Sequence, residues 1–253
     1  AAATTRPPLR LGALHLDVKA RLTGQMIPGT SNPAVVSRTP GGVAGNIART
    51  LARLGVPVSI VSVVGEDESG LGLVTRLARE GVNVDHVVTV SGAPTATYTA
   101  VLNGDGSLAV GVADMAIYER LDANVVDPVV KRFGPGARGA AEATALTGFG
   151  DTEEAATSLL RNGVERVVVT LGEQGVLIAD PAGIVRRAPA SHGPIADVTG
   201  AGDAMVAGYL AALARNEQDP VGWGLAAASL AVETLETVPL DLDVSRLLAR
   251  LPR

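Results

Sequence analysis

The residues of this chain with the clearest chemical potential are Asp197-Val198-Thr199-Gly200-Ala201-Gly202-Asp203, which follow a polar loop and open a helical run. Glycines at a helix start let backbone N–H groups converge on an anion, and the helix dipole favours negative charge there. One residue past them, the Asp203 carboxylate can take a proton from a hydroxyl while the backbone cradles a phosphate. Phosphoryl transfer needs little beyond positioning, charge stabilisation and a base. The same residues also fit a glycine-rich helix start with Asp203 in the first turn for dipole reasons alone. A second group, Gly41-Gly42-Val43-Ala44-Gly45-Asn46, opens another helical pattern, and Thr170-Leu171-Gly172-Glu173-Gln174-Gly175 follows a strand-like run. Taken alone, the latter equally describes a β-turn between two strands. It is neither a Walker A loop, since no G-K-[ST] follows, nor a G-x-G-x-x-G dinucleotide fingerprint.

These groups need elements to position them. From Val43 the apolar positions Ile47, Ala48, Leu51, Ala52 and Leu54 recur at helical spacing up to Gly55, placed as a helix-ending glycine. Val58 to Val64 is a β-branched apolar run, the pattern of a buried strand. Gly65 to Gly70 is a loop into a helix through Leu71, Val74, Leu77 and Ala78, stopped at Gly81. Leu11 to Val18 alternates loosely, with Gly12 and Asp17 as interruptions. Thr95–Leu102 and Ser107–Val112 read as strands joined by the turn Asn103-Gly104-Asp105-Gly106. Later come a helix over Asp151–Gly163, strands over Arg166–Leu171 and Gly175–Ala179, and helices over Gly200–Arg215, Asp219–Glu236 (best at Leu225–Leu235) and Asp243–Leu251. Strands alternating with helices predict a parallel α/β sheet. The 95–112 hairpin does not fit a parallel sheet and is expected as a small flap on one edge.

Composition narrows the function. Lys plus Arg total 21 and Asp plus Glu 26, a net charge of −5, which disfavours a nucleic-acid partner. Without cysteine there are no disulfides, thiolate zinc sites or cysteine nucleophiles, and with only 3 His a His-rich metal site is not expected. No apolar run approaches the ~20 residues of a membrane span, and no basic-then-apolar signal segment opens the chain, so a soluble cytoplasmic protein is expected.

Asp197 to Asp203 resembles the second signature of the PfkB/ribokinase family of carbohydrate kinases. Gly41 to Asn46, with the helix to Gly55 and Val63-Val64-Gly65-Glu66-Asp67-Glu68-Ser69-Gly70, resembles the first. The likeness runs from about Leu11 to Leu251. It implies a ribokinase-like three-layer α/β/α sandwich: one domain over 1–253, a mostly parallel central sheet, and a small β-sheet lid from strands about 14–40 and 95–112. It implies ATP-dependent phosphorylation of a sugar hydroxyl, with Mg²⁺ and potassium as cofactors. Asp203 is then the general base, and Gly200, Ala201 and Gly202 form the anion hole. Asp197 and Thr199 lie where family members often bind a monovalent cation. Asp17, Gly41, Gly42 and Asn46 match acceptor-binding positions, where a hydroxyl, both donor and acceptor, needs carboxylate and amide partners. By residue chemistry alone, Asp17 also fits a strand-end turn and Asn46 a helix N-terminal polar residue. Thr170, Gly172 and Gly175 would line the nucleotide, and Glu142 would help organise Mg²⁺.

The chain departs from the family pattern in its middle. Gly139 stands where the Asn of the N-x-x-E motif belongs, and between Tyr118 and Glu142 only 121–124 and 125–129 resemble fragments of the usual strands and crossovers. Thr30-Ser31-Asn32-Pro33 and Ala113-Asp114-Met115 look like the branch that phosphorylates the 5′-hydroxyl of pseudouridine, with Ser31 and Asn32 supplying partners for the base. Asn-Pro also favours a simple turn. Ribose, fructose and purine nucleosides are alternative acceptors, and a non-catalytic ligand-sensing relative is the alternative from another class. Lids of this family commonly pair, which implies a homodimer.

Overall fold

In the computed structural model, which describes residues 9–122, 151–161, 167–189 and 193–251, the chain divides into two compact units, Ala1–Ala137 and Arg138–Arg253. The first opens with β1 (Leu9–Leu11), which ends at Gly12. The loose alternation expected over Leu11–Val18 is not one strand. Gly12 adopts a positive φ, Leu14 turns fully inward, and β2 (His15–Leu22) starts in a different sheet. β3 (Ala34–Gly41) pairs back antiparallel on β2 and delivers the chain to α1 (Val43–Arg53). Every position of β4 (Val58–Gly65) is buried, as the apolar run predicts for a strand covered on both faces. α2 (Glu68–Arg79) follows. β5 (Val82–Val90) has no counterpart in the sequence reading, because Asn83, Asp85 and His86 interrupt its apolar residues. β1, β4 and β5 form a parallel sheet in the order β1-β4-β5.

β6 (Thr97–Leu102) and β7 (Leu108–Asp114) form the expected hairpin around Asn103–Gly106. They are not an edge of the parallel sheet. β6 pairs parallel with β2, giving a separate four-stranded sheet ordered β3-β2-β6-β7. A short 3₁₀ turn over Ala116–Arg120 seats Ile117 against Val63 and Ala96. α1 and α2 are joined through Glu80, just past α2. Its carboxylate accepts from Arg49 Nε (2.7 Å) and Arg76 Nε (3.1 Å), with Arg53 Nη2 at 3.6 Å. Arg49 is 1% exposed and also donates to the Pro40 carbonyl.

In the second unit α3 (Thr152–Arg161) precedes β8 (Val167–Thr170), β9 (Val176–Asp180) and β10 (Gly183–Arg187), an antiparallel sheet ordered β8-β9-β10. α4 (Ala201–Arg215) crosses α5 (Pro220–Ala231) where Gly208 meets the backbone at Trp223 and Gly224; a methyl group on either glycine would overlap the opposite helix. α5 is shorter than the expected Asp219–Glu236. Asp219 caps it and Pro220 fills its first turn, but the chain leaves the helix at Val232. α6 (Val244–Ala249), capped by Asp243, ends the described core. Parallel sheet, flanking helices and separate small sheet together are the ribokinase-type α/β fold that the sequence implies.

Candidate active site

The acceptor half is built where β2 and β3 meet the start of α1. Asp17 lies on β2 opposite Thr39 of β3, so β3 ends at Gly41 beside the Asp17 carboxylate. A Cβ on Gly41 would overlap that carboxylate. Gly42 caps α1 at φ +90°, against the Ala13 carbonyl, and the Gly45 amide donates to the same carbonyl at 3.2 Å. The glycine pair thus lets the helix start pack directly on the Gly12–Leu14 bend. Asn46 sits in the first turn, 5% exposed, its amide donating to Gly42 (2.8 Å). Asp17, Gly41, Gly42 and Asn46 therefore gather in one part of the first unit.

His15 and Tyr118 escape the sequence reading. His15 Nε2 lies 3.0 Å from Asp17 Oδ1, and His15 Nδ1 lies 3.3 Å from the Tyr118 hydroxyl. Burial pushes the Tyr118 phenol well above its usual range, a hydrogen bond from the Leu14 backbone opposes the rise, and the Asp17 charge adds to it. The spacing of His15 and Asp17, two apart on a strand and so on one face, is legible in the sequence. The Tyr118 contact, 103 residues away, is not.

Ser31 is exposed. Asn32 closes its own loop: Oδ1 accepts from the Ile27 amide at 2.9 Å, and Nδ2 donates to the Ile27 and Thr30 carbonyls at 2.9 and 3.1 Å. Both amide hydrogens are thereby committed, which is the arrangement of a turn.

In the second unit the loop into α4 is hung on the end of α5. The Ala196 and Asp197 amides donate to the Val232 carbonyl at 2.8 and 3.3 Å. Asp197 Oδ1 then accepts from both the amide (2.8 Å) and the hydroxyl (2.7 Å) of Thr199. Gly200 caps α4 in the left-handed conformation at φ +82°, pressed against Thr237. The Ala201 amide bonds to the Val198 carbonyl at 3.2 Å, whereas those of Gly200 and Gly202 have no acceptor among the described residues. Asp203 follows in the first turn, partly buried. Thr170, Gly172 and Gly175 lie in the tight β8–β9 connection, a 3₁₀ turn closed by Leu171 N–H to Gly175 O at 2.8 Å. Glu142 and Gly139 lie outside the described residues. Among the described residues there is no cluster of three His, Asp or Glu suited to a metal, and no helix is long and apolar enough to cross a membrane.

The family model described as pfkB family carbohydrate kinase matches residues 12–131 and 138–242. Pseudouridine kinase of Escherichia coli is 28% identical over 252 aligned positions, covering 78% of this chain and 80% of that protein. Fructoselysine 6-kinase of E. coli is 29% identical over 211 positions, covering 67% and 80%. Arabidopsis thaliana ribokinase, solved in complex with ribose and ATP, superposes with a TM-score of 0.77 over 98% of this chain and 99% of its own, at 21% identity.

Proposed function

Because the chain belongs to the pfkB family of carbohydrate kinases, we propose that it transfers the γ-phosphoryl group of ATP to the sugar hydroxyl of a ribosyl nucleoside, with pseudouridine the leading acceptor. The observation that carries this reading is the start of α4. A left-handed Gly200, and Gly200 and Gly202 amides without acceptors among the described residues, stand in the same first turn as the Asp203 carboxylate, at the positive end of a helix. In this reading Asp203 takes the proton of the attacking hydroxyl. The Gly200 and Gly202 amides bind the transferring phosphoryl, and the Ala201 amide joins them by giving up Val198. Asp17 and Asn46 hold the acceptor. Thr170, Gly172 and Gly175 border the nucleotide. Asp197 and Thr199 offer the hard oxygens that a potassium ion takes. Magnesium supplies charge neutralisation on the phosphates when bound; the described residues hold no acidic cluster for it, and no step is derived through it.

The preference for pseudouridine rests on the curated relative and on Ser31 and Ala113–Met115, with Asn32 shaping the loop. Other acceptors of the family, ribose, fructose and purine nucleosides, share the remaining residues. Val18, Ala20, Val36, Val101, Val110 and Val112 share one face of the four-stranded sheet by register, and Val36 and Val112 are 47% and 58% exposed. This face suits a second copy of the chain, which a mass-resolved size-exclusion run tests.

The test of function is ADP release with ATP, Mg²⁺ and K⁺ against pseudouridine, uridine, ribose, fructose and adenosine. Turnover confined to pseudouridine is expected. Turnover of another sugar keeps the kinase and rejects the acceptor; no turnover of any moves the chain to a ligand-sensing role.

A further inference from the structure

Asp17 is only 6% exposed, yet among the described residues no arginine or lysine pairs with it, and its hydrogen-bond partner is His15. A buried carboxylate is costly unless its oxygens are satisfied. The hydrogen-bond directions here follow from donor and acceptor accounting. The Asp17 carboxylate can only accept, so the proton of the 3.0 Å contact sits on His15 Nε2. With a single ring proton there, His15 Nδ1 acts as acceptor for the phenol proton. The chain Tyr118 O–H, His15 Nε2–H, Asp17 Oδ1 is complete with one proton on the imidazole. Asp17 Oδ2, lying against Gly41, is left as the acceptor for a ligand hydroxyl.

We infer that His15 is a positioning residue of the acceptor site. Locked by Tyr118, it fixes the rotamer of Asp17 and occupies one carboxylate oxygen, so that Asp17 receives a single hydroxyl through the other. Acceptor affinity, and not the phosphoryl-transfer step, then depends on the Tyr118–His15–Asp17 chain. This inference rests on the reading of Asp17 as an acceptor ligand.

Two measurements on the full chain test it. The first needs no activity. Long-range ¹⁵N–¹H spectra of the imidazoles, with His15 assigned by its loss in His15→Gln, are expected to show the neutral form of His15 carrying its proton on Nε2. In Tyr118→Phe the His15 signal is expected to move towards a tautomer mixture. A neutral His15 protonated on Nδ1 overturns the inference. The second uses the acceptor that the wild type turns over best. A hydrogen bond to a charged group is worth ~1.5–3 kcal/mol, so His15→Leu is expected to raise the acceptor KM about 10- to 100-fold with kcat within about threefold. His15→Gln, whose Nε2 reaches the same place, is expected to regain most of the loss. An unchanged KM in His15→Leu, or equal KM in the two variants, overturns the inference. If the wild type turns over no acceptor, the kinase reading fails, and the imidazole spectrum alone decides whether His15 holds Asp17.

Discussion

Gly41 and Asp17 leave no room for a methyl group between them: a Cβ on Gly41 would fall on the Asp17 carboxylate, whose Oδ1 His15 holds. The first glycine of the Gly41-Gly42 pair is thus required by the side chain of a neighbouring strand, and the second by its own φ of +90°. Gly41→Ala is expected to push Asp17 off His15 and out of its rotamer. Acceptor KM should rise by at least tenfold, as expected for loss of a charged hydrogen bond, while the KM for ATP stays within about threefold. Steady-state kinetics with both substrates varied checks this. Equal change in both constants would point to a general loss of fold instead.

Asp203 has a different signature. A general base contributes about 10²–10⁴-fold to the transfer step and little to ground-state binding. Asp203→Asn keeps the size of the side chain at the start of α4 and removes its basicity. Its kcat should fall by roughly 10³, with acceptor affinity by calorimetry within about threefold of wild type. A variant with near-normal kcat removes Asp203 from the chemistry.

What the sequence makes legible follows from how local each cause is. The helix from Val43, the hairpin at Asn103–Gly106 and the glycine-opened α4 each carry their start or turn signal within a few residues, and each forms as read. Gly12 interrupts the Leu11–Val18 pattern in the sequence, but the strand-like residues on its two sides do not show that they belong to different sheets. β5 is missed because its polar residues face outward at irregular intervals, and β10 because a five-residue strand, Gly183–Arg187, is exposed along most of its length. In the candidate site, Asp17, Gly42 and Asp203 are found by their motifs. The reason that Gly41 must be glycine is set by β2–β3 register, and the partner of His15 lies on a distant turn. Neither is written in any window of the chain.

Asp67 links the first signature to stability against acid. Its carboxylate caps α2 by accepting from Gly70 N (2.8 Å) and straps Thr95 through that residue's amide (2.8 Å) and hydroxyl (2.6 Å). Burial raises its pKa, but the bonds from Thr95, Gly70 and Ser69 outweigh this and hold it below the usual carboxylate range. A depressed carboxylate stabilises the fold above its unfolded pKa of about 4 and loses that stabilisation as pH falls through the lower folded value. Asp67→Asn should therefore cost about 1 kcal/mol near neutrality, as for other helix caps, and the gap to wild type should narrow below about pH 4. Urea unfolding at pH 7 and pH 3 measures both; a constant gap would mean that the charge plays no part.

Glu80 is the harder test of how the first unit holds together. Burial alone would raise its pKa; Arg49, Arg76 and Arg53 overcome that and keep it low, and in return it neutralises an Arg49 that is almost wholly buried. Removing one partner of a buried pair leaves the other charge uncompensated, at a cost of about 3–5 kcal/mol. Glu80→Ala is expected at that level, because it takes the carboxylate from the buried Arg49 guanidinium at the junction of α1 and α2. Glu80→Gln keeps two hydrogen-bonding atoms and should cost less. Replacing Arg49 together with Glu80, as Arg49→Met/Glu80→Leu, should recover most of the loss, since an apolar pair carries no desolvation penalty. Chemical denaturation of the wild type, Arg49→Met, Glu80→Leu and the double variant gives the coupling directly. Simple additivity of the two positions would show that Arg49 and Glu80 stabilise the fold independently, and that the ion pair between them contributes nothing.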